Sequence, residues 1–431
     1  VVTGWNSKFY DLPYLIHRIQ TRFGEKEIKR LSVWKSVFKD SIYIAGREHI
    51  CYEIKGLEQL DYLDLYKKFT YSAQESYRLD HIAFVELGEQ KEKNPFNTFR
   101  EWYQNDYQSF IDYNIQDVEL VDKLEDKMRL IDLILTMAYS AKCNYGDVFS
   151  QVRMWDVIMY NYLRDKNIQI PLIVRREKQE AYAGAYVKDP QVGLHKWVVS
   201  FDLNSLYPHL IMQYNISPET IVGMTEQSTS VDAMLDKSFD TDFLKTDNHT
   251  LSPNGALFSR KKHGFLPELL FKMYNERKVE KKLMLQAQQE YENTKNPELL
   301  KKISRHGNKQ MALKIALNSA YGAIGNQYFR FYDIRIAEAV TYGGQLSIRW
   351  IEKSLNKHLN ELLQTNDVDY VLASDTDSVY ITFDSLIQKF NPKDPVKFLD
   401  TICTDKLEPF IDGEYQKLAG YVNAYEQKMF M

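Results

Sequence analysis

Short apolar runs separated by turn-forming residues stand out in the last third of the chain. Residues 371–372 and 379–381 are rich in branched and aromatic side chains, and Asp375-Thr376-Asp377-Ser378 lies between them. Because Asp and Ser side chains hydrogen-bond the nearby backbone, the pattern predicts two short strands joined by a tight turn. Another apolar run, residues 197–201, also predicts a strand, and it ends in Asp202. Carboxylates therefore end or separate the predicted strands.

Two helices are predicted in the stretch between these strands. The first covers about residues 267–291. The second covers residues 309–322 and is expected to end at Gly322, because glycine is common where helices end. Pro297 lies between the two and should stop the first helix, since proline cannot continue a helix interior.

Helical patterns also mark the first third of the chain. A helix is expected to end near Gly24. Tyr113 and Asp117 are four residues apart in a long predicted helix and share one of its faces. An amphipathic run follows over residues 117–139. By contrast, residues 225–250 are polar throughout, and we expect them to form a surface insertion.

Composition is that of an ordinary globular protein. The 431 residues are 44% hydrophobic and 26% charged, and the length predicts roughly three domains. The sequence has no apolar run long enough to cross a membrane, and its three cysteines are too far apart to indicate a metal site or a disulfide framework. The net charge of −4 argues mildly against a nucleic-acid partner, but residues 260–314 hold 14 Lys or Arg against 6 Glu. Such a basic stretch is suited to phosphates.

Asp202, Asp375 and Asp377 are the strongest candidates for chemistry. Like charges near one end of a sheet repel each other and resist burial, so a divalent cation is the simplest way to neutralise them. Mg²⁺ prefers a few carboxylates together with substrate phosphates, which points to phosphoryl or nucleotidyl transfer assisted by two ions. The alternatives are a solvated hairpin turn for Asp375 and Asp377 and a helix N-cap for Asp202.

Basic side chains on the two predicted helices could bind those phosphates. Arg277 and Lys281 are four residues apart on the first helix. Lys314, Asn318 and Tyr321 share one face of the second. Arginine can hold two phosphate oxygens, lysine meets phosphate as a point charge, and a tyrosine ring offers a base a stacking surface. The alternative is an ordinary solvated basic face on each helix.

Three ordered motifs together resemble those of family B DNA polymerases. Residues 202–208 resemble motif A, residues 314–322 resemble motif B with its Lys-x-x-x-Asn-Ser-x-Tyr-Gly pattern, and residues 375–378 resemble motif C. The order and spacing of the motifs match the family as well. Further segments are similar to the replicative enzymes of T-even-like tailed bacteriophages, namely residues 215–220, 252–255 and 329–333.

The resemblance implies template-directed DNA synthesis, in which the primer 3′-oxygen attacks the α-phosphate of a dNTP with the help of two Mg²⁺ ions, for which Mn²⁺ can substitute. It implies that Asp202, Asp375 and the backbone of Leu203 bind these metals, and that Asp377 is a less direct catalytic residue. Tyr207 would be the steric gate against a ribose 2′-hydroxyl, the alternative being a core aromatic. The remaining nucleotide contacts that the resemblance implies are Leu203, Asn204, Ser205, Leu206, Arg277, Lys281, Lys314, Asn318 and Tyr321.

Contacts with primer–template DNA are implied as well. Residues 181–186 are similar to the family's tyrosine- and glycine-containing linker between nuclease and palm, so Tyr182 and Gly184 are expected to touch template DNA. The alternative is a plain loop. Thr376 and Ser378 of motif C are also expected to contact DNA. For the full-length enzyme the resemblance implies a sliding clamp and other replisome proteins as partners, in the cytoplasm of an infected bacterial host.

The first third of the chain resembles a 3′–5′ proofreading exonuclease. Asp11 lies in a segment similar to its second motif, and Tyr113 and Asp117 lie in a segment similar to its third. A Tyr hydroxyl beside a carboxylate can orient a metal-bound water for phosphodiester hydrolysis, whereas a helical Asp is usually solvated surface. The family's first motif, Asp-x-Glu, would precede residue 1. We therefore expect a central fragment that lacks this motif and the thumb, and whose nuclease is inactive.

The expected fold is a multidomain α+β, or mixed, architecture. An RNase H-like exonuclease remnant precedes a polymerase palm that has an antiparallel sheet and a two-helix fingers insertion. The expected domains are the partial exonuclease at 1–129, a connector at 130–173, the palm at 174–263 and 328–431, and the fingers at 264–327.

Two other functions stay open on the sequence. RNA polymerases and reverse transcriptases also use paired aspartates in a palm, although Tyr207 and the helix that carries Lys314 argue against both. The chain could instead be a DNA-binding fragment without catalysis. Only a measurement of turnover would distinguish such a fragment from an active polymerase, because DNA binding would depend on salt concentration in either case.

Overall fold

The chain folds into two units that differ in their balance of helix and sheet. The residues described by this computed structural model are 1–70, 72–174 and 182–431. The first unit comprises Val1–Ser150 and Met284–Ala312, and the second comprises Gln151–Leu283 and Leu313–Met431. Among the described residues, no helix combines the length and apolar character needed to cross a membrane.

The first unit is mainly helical, with a β-hairpin near its start. Strand β1 (Val37–Ile44) pairs antiparallel with β2 (Arg47–Ile54), and Val2 forms a parallel bridge with Gln59. The helices are α1 (Asp11–Phe23), α2 (Glu25–Ile28), α3 (Tyr62–Phe69), α4 (Leu79–Leu87), α5 (Phe99–Asn105), α6 (Tyr107–Met128) and α7 (Leu130–Ala141), with 3₁₀ turns at Lys29–Leu31 and Tyr145–Phe149. Leu12 and Ile16 of α1 pack with Ile54 of the hairpin in a small apolar core.

The second unit combines antiparallel sheets with helices. Its strands are β3 (Val187–Lys188), β4 (Val198–Asp202), β5 (Ile221–Met224), β6 (His249–Leu251), β7 (Ala256–Ser259), β8 (Val371–Asp375) and β9 (Ser378–Thr382). Its helices are α8 (Gln151–Asp165), α9 (Leu206–Tyr214), α10 (Val231–Leu235), α11 (Phe243–Asp247), α14 (Ile334–Leu363), α15 (Asp384–Phe390), α16 (Pro395–Ile402) and α17 (Glu408–Tyr421), with a π-helical turn at Cys403–Leu407. Helices α12 (Phe265–Thr294) and α13 (Glu298–Ile324) contribute residues to both units.

Helix α14 forms the core of the second unit. It packs against α9, α10 and α17 and against β7, β8 and β9. Val340, Ile348, Ile351 and Leu355 are fully buried along it at helical spacing. Burying a side chain of this kind stabilises the fold by about 1.5–3 kcal/mol, so this helix gives the neighbouring sheet a rigid support.

The sheet beside α14 has the order β3-β8-β9-β4, and every neighbouring pair in it is antiparallel. Strands β5, β7 and β6 form a second antiparallel sheet. The three strands predicted around the acidic residues are therefore confirmed, and so is the mixed α and β fold class with an antiparallel sheet. The RNase H-like assignment and the expected domain boundaries stay predictions.

Several helix ends match the sequence. Helix α1 ends at Phe23 before Gly24, whose φ of 92° favours glycine. Helix α12 ends at Thr294 and α13 begins at Glu298, which confirms the break at Pro297.

The predicted end of the second long helix at Gly322 is wrong, because α13 continues to Ile324. Gly322 instead allows a close approach inside the helix. A Cβ atom there would lie 2.7 Å from the Oε1 atom of Gln151 on α8, which is too short for a carbon–oxygen contact. Because Oε1 is the far end of a flexible and exposed side chain, Gln151 could move aside, and the contact does not by itself require glycine.

Two other segments differ from expectation. The amphipathic run over residues 117–139 is interrupted at Arg129, whose φ of 54° ends α6 before α7 begins. The predicted surface insertion at residues 225–250 includes α10 and α11, and it buries Met234 and Leu244 completely. Polar composition concealed these anchors, because only a few apolar residues fix the segment to the core. In the linker-like segment 181–186, Ala181 lies outside the described residues.

Candidate active site

The pairing register of the second unit brings the predicted carboxylates to one end of the sheet. Ser378, the first residue of β9, is paired with Asp202 of β4 on one side and with Asp375 of β8 on the other. Directly paired residues of antiparallel strands project from the same face, so Asp202 and Asp375 share that face. Since neighbouring strands lie about 4.8 Å apart, the two backbones are separated by roughly 10 Å, which two side chains and a bound ion can span.

Asp377 is held between these two residues by the turn. Its amide donates to the carbonyl of Asp375 at 2.6 Å, and its own carbonyl accepts from the amide of Leu203 at 2.7 Å. Thr376 has a φ of 55°, which makes the turn tight, and its hydroxyl donates to a carboxylate oxygen of Asp375 at 2.9 Å. The predicted turn thus also connects motif C to the backbone that follows Asp202.

The electrostatics of this end of the sheet favour a cation. Burial raises the pKa of Asp202 above its ordinary value. Burial also raises the pKa of Asp377, and the negative charges of Asp202 and then Asp375 raise it further. Among the described residues, none of these three carboxylates forms an ion pair with a basic side chain. The described residues hold no preformed cluster of three metal-binding side chains.

The backbone after Asp202 is held in a sharp turn before α9. Ser205 has a φ of 48° and accepts a hydrogen bond from the α9 residue His209 through its carbonyl. The amide of Asn204 donates to the carbonyl of Phe430 at 3.0 Å. Leu203 and Leu206 are buried. The four predicted nucleotide-binding positions 203–206 therefore form one ordered turn.

Three tyrosines pack together beside this turn. The rings of Tyr207 and Tyr321 are 4.6 Å apart, and the hydroxyl of Tyr321 donates to that of Tyr182 at 3.0 Å. Burial raises the pKa of Tyr207, and so does the nearby charge of Asp377. Burial and the hydrogen bond with Tyr182 raise the pKa of Tyr321. Tyr182 also lies against Gly325, where a Cβ atom would be 2.5 Å from the tyrosine oxygen. The structure thus joins three separately predicted tyrosines in one cluster.

The predicted phosphate contacts lie on α12 and α13 in the same unit. Arg277 is half-buried, and its Nε atom is buried without a hydrogen-bond partner among the described residues. Lys281 is exposed and forms no ion pair with another described residue. Lys314 is half-buried and Asn318 is exposed. An unsatisfied guanidinium nitrogen is costly unless a ligand supplies an acceptor, which suits Arg277 to phosphate.

Helix α9 contacts both long helices. Tyr207 meets Tyr321 of α13, and the ring of His209 packs edge-on against Tyr274 of α12 at 4.6 Å. Burial lowers the pKa of His209, so this contact favours a neutral imidazole. No sequence pattern indicated this second contact, because His209 and Tyr274 are far apart along the chain.

Helix α8 supports the part of α13 that carries Lys314 and Asn318, and sequence reasoning missed this contact. Trp155 is fully buried, and its Nε1 atom donates to the carbonyl of Ala316 and the hydroxyl of Ser319, each at 3.1 Å. The neighbouring Asp156 is 7% exposed and accepts hydrogen bonds from the Nε and Nη2 atoms of Arg330 at 2.7 and 3.1 Å. Helix α8 therefore fixes α13 and the segment that follows it.

The predicted DNA contacts occupy different environments. The carbonyl of Gly184 accepts a hydrogen bond from the Gln345 side chain at 2.6 Å. The amide of Thr376 donates to the carbonyl of Tyr186 at 3.0 Å. Ser378 is buried, and its hydroxyl donates to the carbonyl of Asp375 at 3.3 Å.

The predicted exonuclease residues belong to the first unit. Asp11 begins α1, and Tyr113 and Asp117 lie on α6. Asp11 and Asp117 line a cleft of 890 Å³. Burial raises the pKa of Asp11. One oxygen of Asp117 is buried without a hydrogen-bond partner, which leaves it available to a cation.

Lys91 is a further residue of this cleft that the sequence did not reveal. Its ammonium group lies 2.7 Å from the second oxygen of Asp117 and 4.9 Å from the centre of the Tyr113 ring. Burial alone would lower the pKa of Lys91, but hydrogen bonds with Asp117 and Tyr113 outweigh that effect and raise it. Lys91 belongs to a polar stretch without periodicity, so no pattern distinguished it from a solvated lysine.

Comparisons with known proteins match two parts of the chain to one protein family. Residues 140–402 match DNA polymerase family B, and residues 1–82 match the exonuclease domain of DNA polymerase family B. The DNA-directed DNA polymerase of Escherichia phage RB69 is 36% identical over all of this chain and 52% of its own length. The corresponding figures for the DNA-directed DNA polymerase of Enterobacteria phage T4 are 34%, 100% and 53%. The DNA polymerase delta catalytic subunit of Candida albicans is 27% identical over 89% of this chain and 36% of its own length. The chain thus spans about half the length of the two phage relatives.

The anchoring role of Trp155 can be tested by stability. Trp155→Phe removes the indole N–H and leaves a small cavity, so the free energy of unfolding should fall by about 1–3 kcal/mol in denaturant titrations. Trp34→Phe is the matched control, because Trp34 is 70% exposed and its loss should change stability by less than about 0.5 kcal/mol. Equal effects of the two substitutions would contradict the role of Trp155.

Proposed function

The chain belongs to DNA polymerase family B, and from that membership we propose that it performs the template-directed addition of dNTPs to a primer 3′-hydroxyl. The observation that carries the proposal is the convergence of Asp202, Asp375 and Asp377 at one end of an antiparallel sheet, where no basic side chain of the described residues forms an ion pair with them. Carboxylates in this arrangement suit a substrate that brings both divalent ions and phosphates.

Asp202 and Asp375 would hold the metal ions, together with the backbone carbonyl of Leu203. Two Mg²⁺ ions are proposed, and Mn²⁺ can replace them because it also accepts carboxylate and water oxygens. When bound, such ions make the 3′-hydroxyl easier to deprotonate and offset the charge of the leaving pyrophosphate. Asp377 is proposed to contribute mainly through the electrostatic field of its carboxylate. The turn holds it in place, because its backbone amide and carbonyl are both hydrogen-bonded.

The incoming nucleotide would bind between the turn at residues 203–206 and the long helices. The backbone of Leu203, Asn204, Ser205 and Leu206 is proposed to line the triphosphate. Arg277, Lys281, Lys314 and Asn318 are proposed to contact its phosphates, and the unsatisfied Nε atom of Arg277 supports this role. Catalysis then depends on positioning and charge stabilisation, because phosphoryl transfer demands little covalent chemistry from the protein.

Tyr207 is proposed to select the sugar, and Tyr321 to pack beside the base. Tyr207 lies directly after the turn that would line the triphosphate, and contact with Tyr321 fixes its ring. A fixed ring in this position leaves no room for a ribose 2′-hydroxyl. Tyr182, Gly184, Thr376 and Ser378 are proposed to contact primer–template DNA, directly or through the backbone that they order.

A 3′–5′ exonuclease in the first unit is proposed for the whole protein. Asp11 and Asp117 would bind its metal, and Tyr113 would orient the attacking water. Lys91 would hold Asp117 in place until a cation arrives.

We further propose the sliding clamp and other replisome proteins as partners, the cytoplasm of an infected bacterium as the location, and the exonuclease, palm and fingers boundaries given above.

The metal-binding role of Asp375 predicts a loss of turnover. Asp375→Asn keeps the shape of the side chain but removes its charge, so primer extension should slow by roughly 1,000-fold, which corresponds to about 4 kcal/mol of transition-state stabilisation. Asp367→Asn is the control, because Asp367 is an exposed carboxylate in the loop before β8. Normal extension by Asp375→Asn in a single-turnover assay would refute the proposal.

The gate role of Tyr207 predicts altered sugar selection. Tyr207→Ala removes the ring, so the preference for dNTPs over ribonucleotides should fall by about 10–200-fold in a competition assay. Tyr207→Phe retains the ring and should keep most of the preference, which separates steric exclusion from a hydroxyl effect. If the alanine variant discriminates as well as the phenylalanine variant, Tyr207 does not select the sugar.

A further inference from the structure

A long groove in the first unit lies apart from the exonuclease cleft. One wall is α7, and the other is the part of α13 that belongs to this unit. We call it the α7–α13 groove, and its volume is 870 Å³. The residues that line it are Arg129, Asp132, Leu135, Thr136, Tyr139, Ser140, Leu300, Lys301, Ser304, Arg305, Asn308 and Lys309.

The α13 wall of this groove is strongly basic. Lys301, Arg305 and Lys309 follow one another at four-residue spacing, so they form a single stripe along the helix. Arg129 adds a fourth cation, and Asp132 is the one acidic residue among the lining residues. The lining residues thus carry four positive charges against one negative charge, although the whole chain has a net charge of −4 and Glu298 and Asp126 pair with two of the basic residues.

The ion pairs of Lys301 and Arg129 neutralise these two residues only weakly. Lys301 lies 3.2 Å from Glu298, but both side chains are more than 70% exposed, and such pairs contribute little. Arg129 lies between Asp126 and Asp132 at 3.4 and 3.9 Å. Arg305 is exposed, and it forms no ion pair with another described residue. These side chains can therefore change partners when an anion enters.

The α7 wall supplies hydroxyl groups and an aromatic ring. Thr136 and Ser140 lie one helical turn apart, and Ser304 and Asn308 face the groove from α13. Tyr139 is 74% exposed, although its ring contacts that of Tyr145 at 6.3 Å. A tyrosine held by a neighbour but open on its other side can stack with an unpaired base.

We propose that the α7–α13 groove binds single-stranded DNA. A basic wall that follows a phosphate backbone, beside hydroxyls and an exposed aromatic ring, is the combination by which proteins hold single strands without reading sequence. A base can stack on Tyr139 only where it is unpaired, and for that reason a single strand fits better than a duplex. This inference rests on the proposed function, because in a DNA polymerase the available single strand is the unpaired template.

The test is the binding of a labelled 20-nucleotide oligodeoxythymidine to the protein, measured by fluorescence anisotropy over a range of salt concentrations. The variant Lys301→Ala/Arg305→Ala removes two charges from the groove. The control Lys295→Ala/Lys302→Ala removes two exposed charges of the same unit that do not line it. Tyr139→Ser removes the stacking surface and leaves the charge unchanged.

The variant Lys301→Ala/Arg305→Ala should lose two phosphate contacts. The slope of log affinity against log salt concentration should then fall in magnitude by about 1.4, and binding should weaken roughly 25-fold at 0.1 M salt. Tyr139→Ser should weaken binding about fivefold to tenfold without changing the slope. The control pair should retain both the affinity and the slope of the wild type. The proposal would be overturned if Lys301→Ala/Arg305→Ala and Lys295→Ala/Lys302→Ala lost equal affinity for the oligonucleotide. It would also be overturned if Lys301→Ala/Arg305→Ala bound as tightly as the wild type. An equal loss of affinity for blunt duplex DNA and for the single strand in Lys301→Ala/Arg305→Ala would overturn it as well.

Primer extension by the wild-type protein keeps this test separate from the proposed function. If extension is absent while binding of the oligonucleotide still depends on Arg305 and Tyr139, the proposed polymerase function is wrong and the groove proposal is retained. If extension is present while the groove substitutions leave binding unchanged, the groove proposal fails and the polymerase function stands.

Discussion

Like-charge repulsion at one end of the β3-β8-β9-β4 sheet is the constraint on which the site depends. Burial raises the pKa of Asp202, and burial together with the charges of Asp202 and Asp375 raises that of Asp377. The folded chain therefore binds these protons more tightly than the unfolded chain. Its free energy of unfolding falls as pH rises from the ordinary aspartate range through the raised pKa values. The divalent cations proposed for this site would offset this cost when bound.

Rigid packing behind the sheet makes this arrangement possible. The buried apolar face of α14 supports β8 and β9, and Trp155 of α8 fixes the part of α13 that carries Ser319. The pair of Asp156 with Arg330 fixes the segment after α13. Breaking such a buried pair typically costs about 3–5 kcal/mol, because it leaves one charge without a partner. These contacts stabilise the sheet whose acidic end is the proposed cation site.

The carboxylate end of the sheet could be predicted from sequence because its signals are local. Asp202 directly follows an apolar run, and Asp375 and Asp377 lie in a turn between two such runs, so strand and turn preferences located all three. Contacts between distant segments gave no such signal. Trp155 and Ser319 are 164 residues apart, and Lys91 lies in a polar stretch. Gly322 was interpreted wrongly as a helix end, because α13 continues through it to Ile324.

Binding of Mn²⁺ to the folded chain, measured by electron paramagnetic resonance in the presence of a dNTP, tests the central claim most directly. The claim is that the β4–β9–β8 register builds a site for divalent ions from Asp202 and Asp375. It predicts bound Mn²⁺ at neutral pH and weaker binding at about pH 5, because protons compete for the carboxylates. It also predicts that Asp202→Asn loses this binding. Binding that is unchanged by Asp202→Asn and by Asp375→Asn would contradict it.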